Sequence, residues 1–321
     1  MTMTDAASSR RIDWIDIARG VALIAMAIYH FSWDLGYFGY IDPAAASSGP
    51  LKWFARSIAS SFLFLVGISL ILAHVNGIRW KGYGRRLAMI VASALAITVA
   101  TRLFTPDAYV FFGILHQIAF ASVVGLAFLR LPSPVLFAIA AAWLSVPFWG
   151  KSMLFDAPWL TWLGLSPFPP RSNDFVPVFP WFAAVLTGMG VGRLLIKTNA
   201  TDRLRAHPPG RNLVSTALRF LGRHSLATYL LHQPILIACV YLFSLVILPD
   251  QGASFVRSCV ATCSAQYEAN KCEAFCGCAL SKLQENGLLE GVFKGELSQS
   301  NDPRVAELTD ACSIEAFSDD K

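Results

Sequence analysis

Apolar runs of about 20 residues, separated by short polar stretches, set the pattern of this chain. Each is long enough to cross a bilayer as a helix. The first covers residues 10–33, RRIDWIDIARGVALIAMAIYHFSW. Further runs are predicted over Trp53–Val75, Leu87–Phe104, Tyr109–Leu129, Ser133–Trp149, Pro177–Ile196 and Ser225–Leu248. Residues 35–51 read as a loop from their Gly, Pro and Ser content. The Pro- and Trp-rich stretch 151–176 is too long for a plain connector and reads as a lid or re-entrant piece. Residues 213–223 read as a short interfacial helix, and residues 1–9 as disordered.

Composition agrees with the pattern. The chain is 55% hydrophobic and 15% charged, with a mean hydropathy of +0.51. Soluble domains carry about one-quarter charged residues. The fold class expected is therefore all-α, a polytopic membrane helix bundle of about seven spans. The +5 net charge does not point to nucleic acid, because the cations cluster in loops between apolar runs. Placing the N-terminus in the cytoplasm puts Arg10 and Arg11, the cations of residues 79–86, Arg130 and those of residues 197–211 inside. It leaves Lys52, Lys151 and Arg171 outside, as the positive-inside rule prefers. No cleavable signal peptide, internal repeat, Walker loop or dinucleotide fingerprint is visible.

Three domains follow: a cytoplasmic terminus (1–9), a transmembrane domain (10–249) and an extracytoplasmic tail (252–321). The tail is polar and holds six of the seven cysteines: Cys259, Cys263, Cys272, Cys276, Cys278 and Cys312. The Cys259/Cys263 and Cys272/Cys276 spacings put each pair on one helix face. A helical hairpin stapled by two disulfides is expected, with Cys278–Cys312 as a third; a thiolate zinc site is the rival. Cys239 reads as a packed mid-span residue.

Ionisable residues within the apolar runs carry the candidate chemistry, since such groups face protein or water rather than lipid. On a helix Asp16, Arg19, His30 and Asp34 share one stripe. His30 lies about 24 Å along the axis from Trp14, near the outer face. It is the candidate general base, with Asp34 one turn on to orient it. His116, Arg56 and Arg102 fall in the outer half of their runs, which predicts an outward-facing polar cavity. Ser225, Tyr229 and His232 share one face of the last run. Asp16 and Arg19 read either as an intrahelical ion pair or, with Arg85 and Arg86, as a contact for a charged donor entering from the cytoplasm. No metal-ligand cluster is visible.

The stretches IDIARGVALIAMAIYHF, FLFLVGISLIL, GILHQIAFA and GRHSLATYLLHQPIL, in that order, resemble the catalytic domain of heparan-alpha-glucosaminide N-acetyltransferase and its bacterial relatives. The resemblance covers about residues 10–245, with Asp16, Arg19 and Gly20 at its signature positions. It implies acetyl transfer from cytoplasmic acetyl-CoA to an external sugar, in a bacterial-type inner membrane. His116 and His30 are then catalytic with Asp34; Arg56, Arg102, Tyr229 and His232 bind substrate; Asp16, Arg19, Arg85 and Arg86 bind acetyl-CoA. Partners are membrane lipid and a carbohydrate acceptor, with a homodimer left open. The lysosomal enzyme's histidine follows the first span, where residues 35–51 here contain none. His30 instead resembles the histidine ending the first span of polysaccharide O-acyltransferases, so N- and O-acylation both stay open. The alternative class is a transporter or channel using the same ionisable groups as ligands. A third is a membrane anchor for a partner-binding tail.

Overall fold

The computed structural model describes residues 11–41, 46, 49–293 and 296–318; the terminus expected to be disordered lies outside them. The described residues are helical and contain no strand. In order the helices are α1 (Asp13–Tyr37), α2 (Gly49–His74), α3 (Trp80–Phe104), α4 (Ile114–Val124), α5 (Ser133–Trp149), α6 (Val178–Lys197), α7 (Ala200–Ala206), α8 (Leu213–Arg223), α9 (Ser225–Ser244), α10 (Gln251–Cys263), α11 (Ala269–Glu285), α12 (Leu289–Phe293) and α13 (Pro303–Phe317).

Five of these, α1, α2, α3, α6 and α9, are long and apolar enough to cross a membrane. The two remaining expected spans are shorter apolar helices, Ile114–Phe128 and Ser133–Trp149. Only 11% of the apolar window of α3 and 6% of that of α9 is buried. Apolar surface of that extent is stable against lipid, not water. Cys239, expected to be packed, is free and exposed on α9. α3 starts seven residues before the expected Leu87 and takes Lys81, Arg85 and Arg86 into its first turns. The expected loop 151–176 contains two 3-10 turns, Met153–Asp156 and Thr161–Leu163.

The chain divides into two compact units. The first comprises Met1–Met26 and Ala55–His232. Its core is built on α2, α5 and α6, around Leu63, Leu136, Phe182, Leu186 and Met189. Glycines let α2 and α6 meet backbone to backbone. A Cβ on Gly67 would lie 2.8 Å from the Met189 nitrogen, and one on Gly188 2.9 Å from the Phe64 carbonyl carbon. Small residues serve this purpose in membrane bundles, where dispersion replaces the hydrophobic effect between helices. The same device joins α1 to α8. A Cβ on Gly20 would sit 2.9 Å from the Leu218 carbonyl carbon, and one on Gly222 2.7 Å from that of Asp16. The Asn212 side chain starts α8 by accepting the Ser215 N–H at 2.7 Å.

The second unit comprises Ala27–Phe54 and Gln233–Lys321. In it Gly39, with φ of +83°, turns the chain after α1 against Ser254 of α10. The Arg257 guanidinium donates to the Gly39 carbonyl at 3.3 Å. α10 and α11 form the expected hairpin. Three cysteine pairs stand at disulfide distance: Cys259–Cys276, Cys263–Cys272 and, from α11 to α13, Cys278–Cys312. Leu283, Leu288 and Val305 make a small core beside them.

Candidate functional site

The first half of α1 carries a dense charge cluster. Asp16 is buried, with its side chain 2% exposed. Its carboxylate accepts from Arg11 Nε at 2.9 Å and Arg19 Nη1 at 3.1 Å, and Arg223 Nε stands 3.5 Å away. Asp13 pairs with Arg219 and Arg223, both at 3.0 Å. The signature residues are thus tied to α8: Asp16 through Arg223, and Gly20 by admitting the Leu218 backbone. The ion pair and the donor contact are not exclusive. Arg19 reaches past Asp16 to Ser69 of α2, donating to its hydroxyl at 2.5 Å. Ser69 lines a cavity of about 410 Å³, together with His74, Arg79, Tyr83, Arg86 and Ser122. Arg11 and Arg86 both lie close enough to Arg19 to repel it. The cluster therefore gathers cations beyond what Asp16 and Asp13 neutralise, which suits an anionic ligand. Arg86 lines the cavity as the sequence suggests; Arg85 is exposed and does not. Arg79 is an addition of the structure, because a loop arginine beside a tryptophan carries no positional signal in the sequence.

Toward the other end of α3, about 18 Å along its axis from Arg86, His116 has a different part from the catalytic one expected. The Gly113 N–H donates to its Nδ1 at 3.2 Å, which makes Nε2 the protonated nitrogen. That nitrogen faces Thr98 Oγ1 at 3.2 Å, and the Thr98 hydroxyl donates to the Val110 carbonyl at 2.7 Å. Both ring nitrogens are spent on closing the start of α4, so neither is free to take a substrate proton. Asp174 completes the closure by accepting the Ile114 N–H at 2.8 Å. Burial pushes its carboxylate up to about 6, and the Ile114 N–H pulls it the other way. The neighbouring chain runs alongside 105–112: Asn173 N–H donates to Ala108 O at 2.8 Å and Val176 N–H to Phe112 O at 3.0 Å. This seam also explains why α4 begins at Ile114 and not near Tyr109.

Of the four expected substrate residues, Arg56 and Arg102 are exposed. Arg102 sits over the Tyr109 ring, 4.7 Å from its centroid. Tyr229 packs against the main core, and the Tyr229 and His232 rings stand 5.5 Å apart. His232 Nδ1 donates to the Tyr229 carbonyl at 2.5 Å. These four do not wall one cavity with His116. Gln117, an amide with no helical partner of obvious chemistry in the sequence, is fully buried on α4. Among the described residues neither of its amide atoms finds a hydrogen-bond partner.

In the second unit, Asp34 is fully buried. Its Oδ1 accepts from Gln233 Nε2 at 2.7 Å, while Oδ2 has no hydrogen-bond partner among the described residues. The carboxylate expected to orient His30 is therefore engaged by α9 instead. His30 is half-buried one turn earlier on α1. Among the described residues no group of His, Cys, Asp and Glu has metal-holding geometry.

Searches of curated proteins and of solved structures gave no match. The family described as heparan-alpha-glucosaminide N-acetyltransferase, catalytic, matches residues 11–234. The match takes in the Asp16–Arg19–Gly20 cluster and stops before the cysteine-bearing helices. With its apolar helices and this match over most of its length, the chain belongs to the membrane acetyltransferase family of heparan-alpha-glucosaminide N-acetyltransferase catalytic domains.

Proposed function

We propose that the chain transfers an acetyl group from cytoplasmic acetyl-CoA to an extracytoplasmic carbohydrate acceptor, in a cell membrane of bacterial type. The observation that carries this reading is the cation-rich cavity beside the family signature, where Arg79 and Arg86 line the wall and Arg19 is bonded to Ser69. Guanidinium groups recognise phosphate through charge-assisted, bidentate hydrogen bonds. Acetyl-CoA carries its charge on phosphates, so this is the end of the co-substrate that such a wall would hold. The positive-inside count supports a cytoplasmic location for this end of α1. With α4 and α5 as further crossings, the bundle has seven spans and the disulfide-bonded tail lies outside.

His30 is the general base. It takes the proton from the acceptor nitrogen or oxygen as that atom attacks the thioester carbonyl; the carbon–sulfur bond then breaks and the thiolate leaves. Such assistance is worth about 10²–10⁴-fold. His116 keeps its place as a helix cap and does not enter the reaction.

The test uses the full chain in nanodiscs with radiolabelled acetyl-CoA and a sugar acceptor. His30→Ala abolishes transfer while the protein still inserts, and Arg86→Ala raises the KM for acetyl-CoA with little change in kcat. Undiminished transfer by His30→Ala rejects the base; an unchanged KM in Arg86→Ala rejects the donor site.

A further inference from the structure

The second unit holds a pair of buried acceptors that the fold leaves unused. Gln233 Nε2 donates to Asp34 Oδ1 at 2.7 Å, which fixes both side chains. Asp34 Oδ2 and Gln233 Oε1 are both buried and, among the described residues, have no hydrogen-bond partner. Asp34 itself is 0% exposed. Buried polar atoms are rarely left unmet, and a carboxylate oxygen is among the costliest to strand. Both stranded atoms are acceptors, so whatever meets them must donate.

We infer that Asp34 and Gln233 form the seat for the acceptor's nucleophilic group, and that the seat selects a group with two donors, a primary amine over a single hydroxyl. An amine presents at least two N–H bonds from one atom, enough for Oδ2 and Oε1 together. In its protonated form it also brings the charge that a buried carboxylate lacks. A lone hydroxyl has one donor and leaves one acceptor stranded, and a site built for hydrogen bonding penalises the analogue that cannot supply it. His30, four residues before Asp34 on α1, stands one helical turn away along the same face. This assignment rests on the transferase reading and adds to it the residues that choose the acceptor atom.

The experiment measures equilibrium binding of glucosamine and of glucose to the full chain in nanodiscs, with no acetyl-CoA present. Glucosamine is expected to bind at least tenfold tighter than glucose. Asp34→Asn and Gln233→Met each lower glucosamine affinity about tenfold or more and erase the preference, while acetyl-CoA affinity and melting temperature hold. Gln233→Glu, which keeps an acceptor oxygen, retains more of the preference than Gln233→Met. Equal binding of the two sugars by the wild type, or variants that bind glucosamine like the wild type, overturns the assignment. So does a Gln233→Met chain that melts higher with its sugar binding intact, the signature of acceptors bridged only by water. A wild type that shows the amine preference but transfers no acetyl group leaves the seat standing and fails the transferase reading. Acetyl transfer to glucosamine with an unchanged KM in Asp34→Asn does the reverse.

Discussion

Replacing Gly222 by alanine tests whether the family signature is partly a packing device. The new Cβ would lie 2.7 Å from the Asp16 carbonyl carbon and 3.0 Å from its Cα, both backbone atoms. No rotamer relieves this, so α8 must retreat from α1 by about 1 Å. Forced overpacking of this kind costs about 1–3 kcal/mol. The gain of alanine over glycine in a helix, about 0.5–1 kcal/mol, offsets part of it. The retreat also draws Arg223 from Asp13 and Asp16, now 3.0 and 3.5 Å away, and loosens the Asp16 cluster. Gly84→Ala is the control: it lies in α3, where an added Cβ would meet nothing within 4 Å among the described residues, so it should be neutral or slightly stabilising. At about 2–4 °C per kcal/mol for a domain of this size, Gly222→Ala should melt several degrees below the wild type. Thermal unfolding in detergent, followed by the native tryptophans, reads the difference. Gly20→Ala meets the same seam from the other side, and the double variant should cost less than the two singles together. A Gly222→Ala chain that melts with Gly84→Ala, or strictly additive glycine variants, would refute the argument.

Asp16→Asn leaves Arg19 largely buried against Ser69 with its counter-charge gone, so a loss of about 3–5 kcal/mol is expected; chemical unfolding measures it, and a loss below about 1 kcal/mol shows the carboxylate to be dispensable. Gln117→Leu removes two stranded amide atoms at similar volume and should leave stability equal or higher; a large drop in melting temperature shows that the amide is satisfied in the working protein. Burial raises the Asp174 carboxylate to about 6 from an ordinary value of 3.8, so the folded state binds the proton more tightly than the unfolded one. Its contribution to stability is full below about pH 4 and is lost as pH rises through 6. Asp174→Asn should flatten the fall in melting temperature between pH 5 and 7.5, and an unaltered slope excludes Asp174 as its source.

The apolar runs announced the long helices because burial and lipid exposure act on composition alone. α5, α6 and the cysteine hairpin came out close to their expected bounds for the same reason. What sequence could not show depends on partners far along the chain. His116 looked catalytic because a histidine in an apolar run has few other readings. Its role as a cap depends on Thr98 and on a seam with Asp174, which bonds Ile114 sixty residues away. Asp34 looked like a partner for His30 because helical spacing allows it, whereas the structure gives its oxygen to Gln233, 199 residues distant. α3 was expected to start late because its first two turns are charged, and charge at a helix end is no barrier to helix formation.

The seam between residues 105–114 and 172–176 divides the long proline-rich connector into two parts with opposite tolerances. Upstream, Pro169 is exposed and Arg171 follows it at the surface; an epitope inserted between them extends a free bulge. Downstream, Ser172, Asn173, Asp174 and Val176 each bond a fixed partner. Adding or deleting one residue there shifts every rung at once and uncaps α4, so length variants of this connector should separate into silent and ruinous at Ser172.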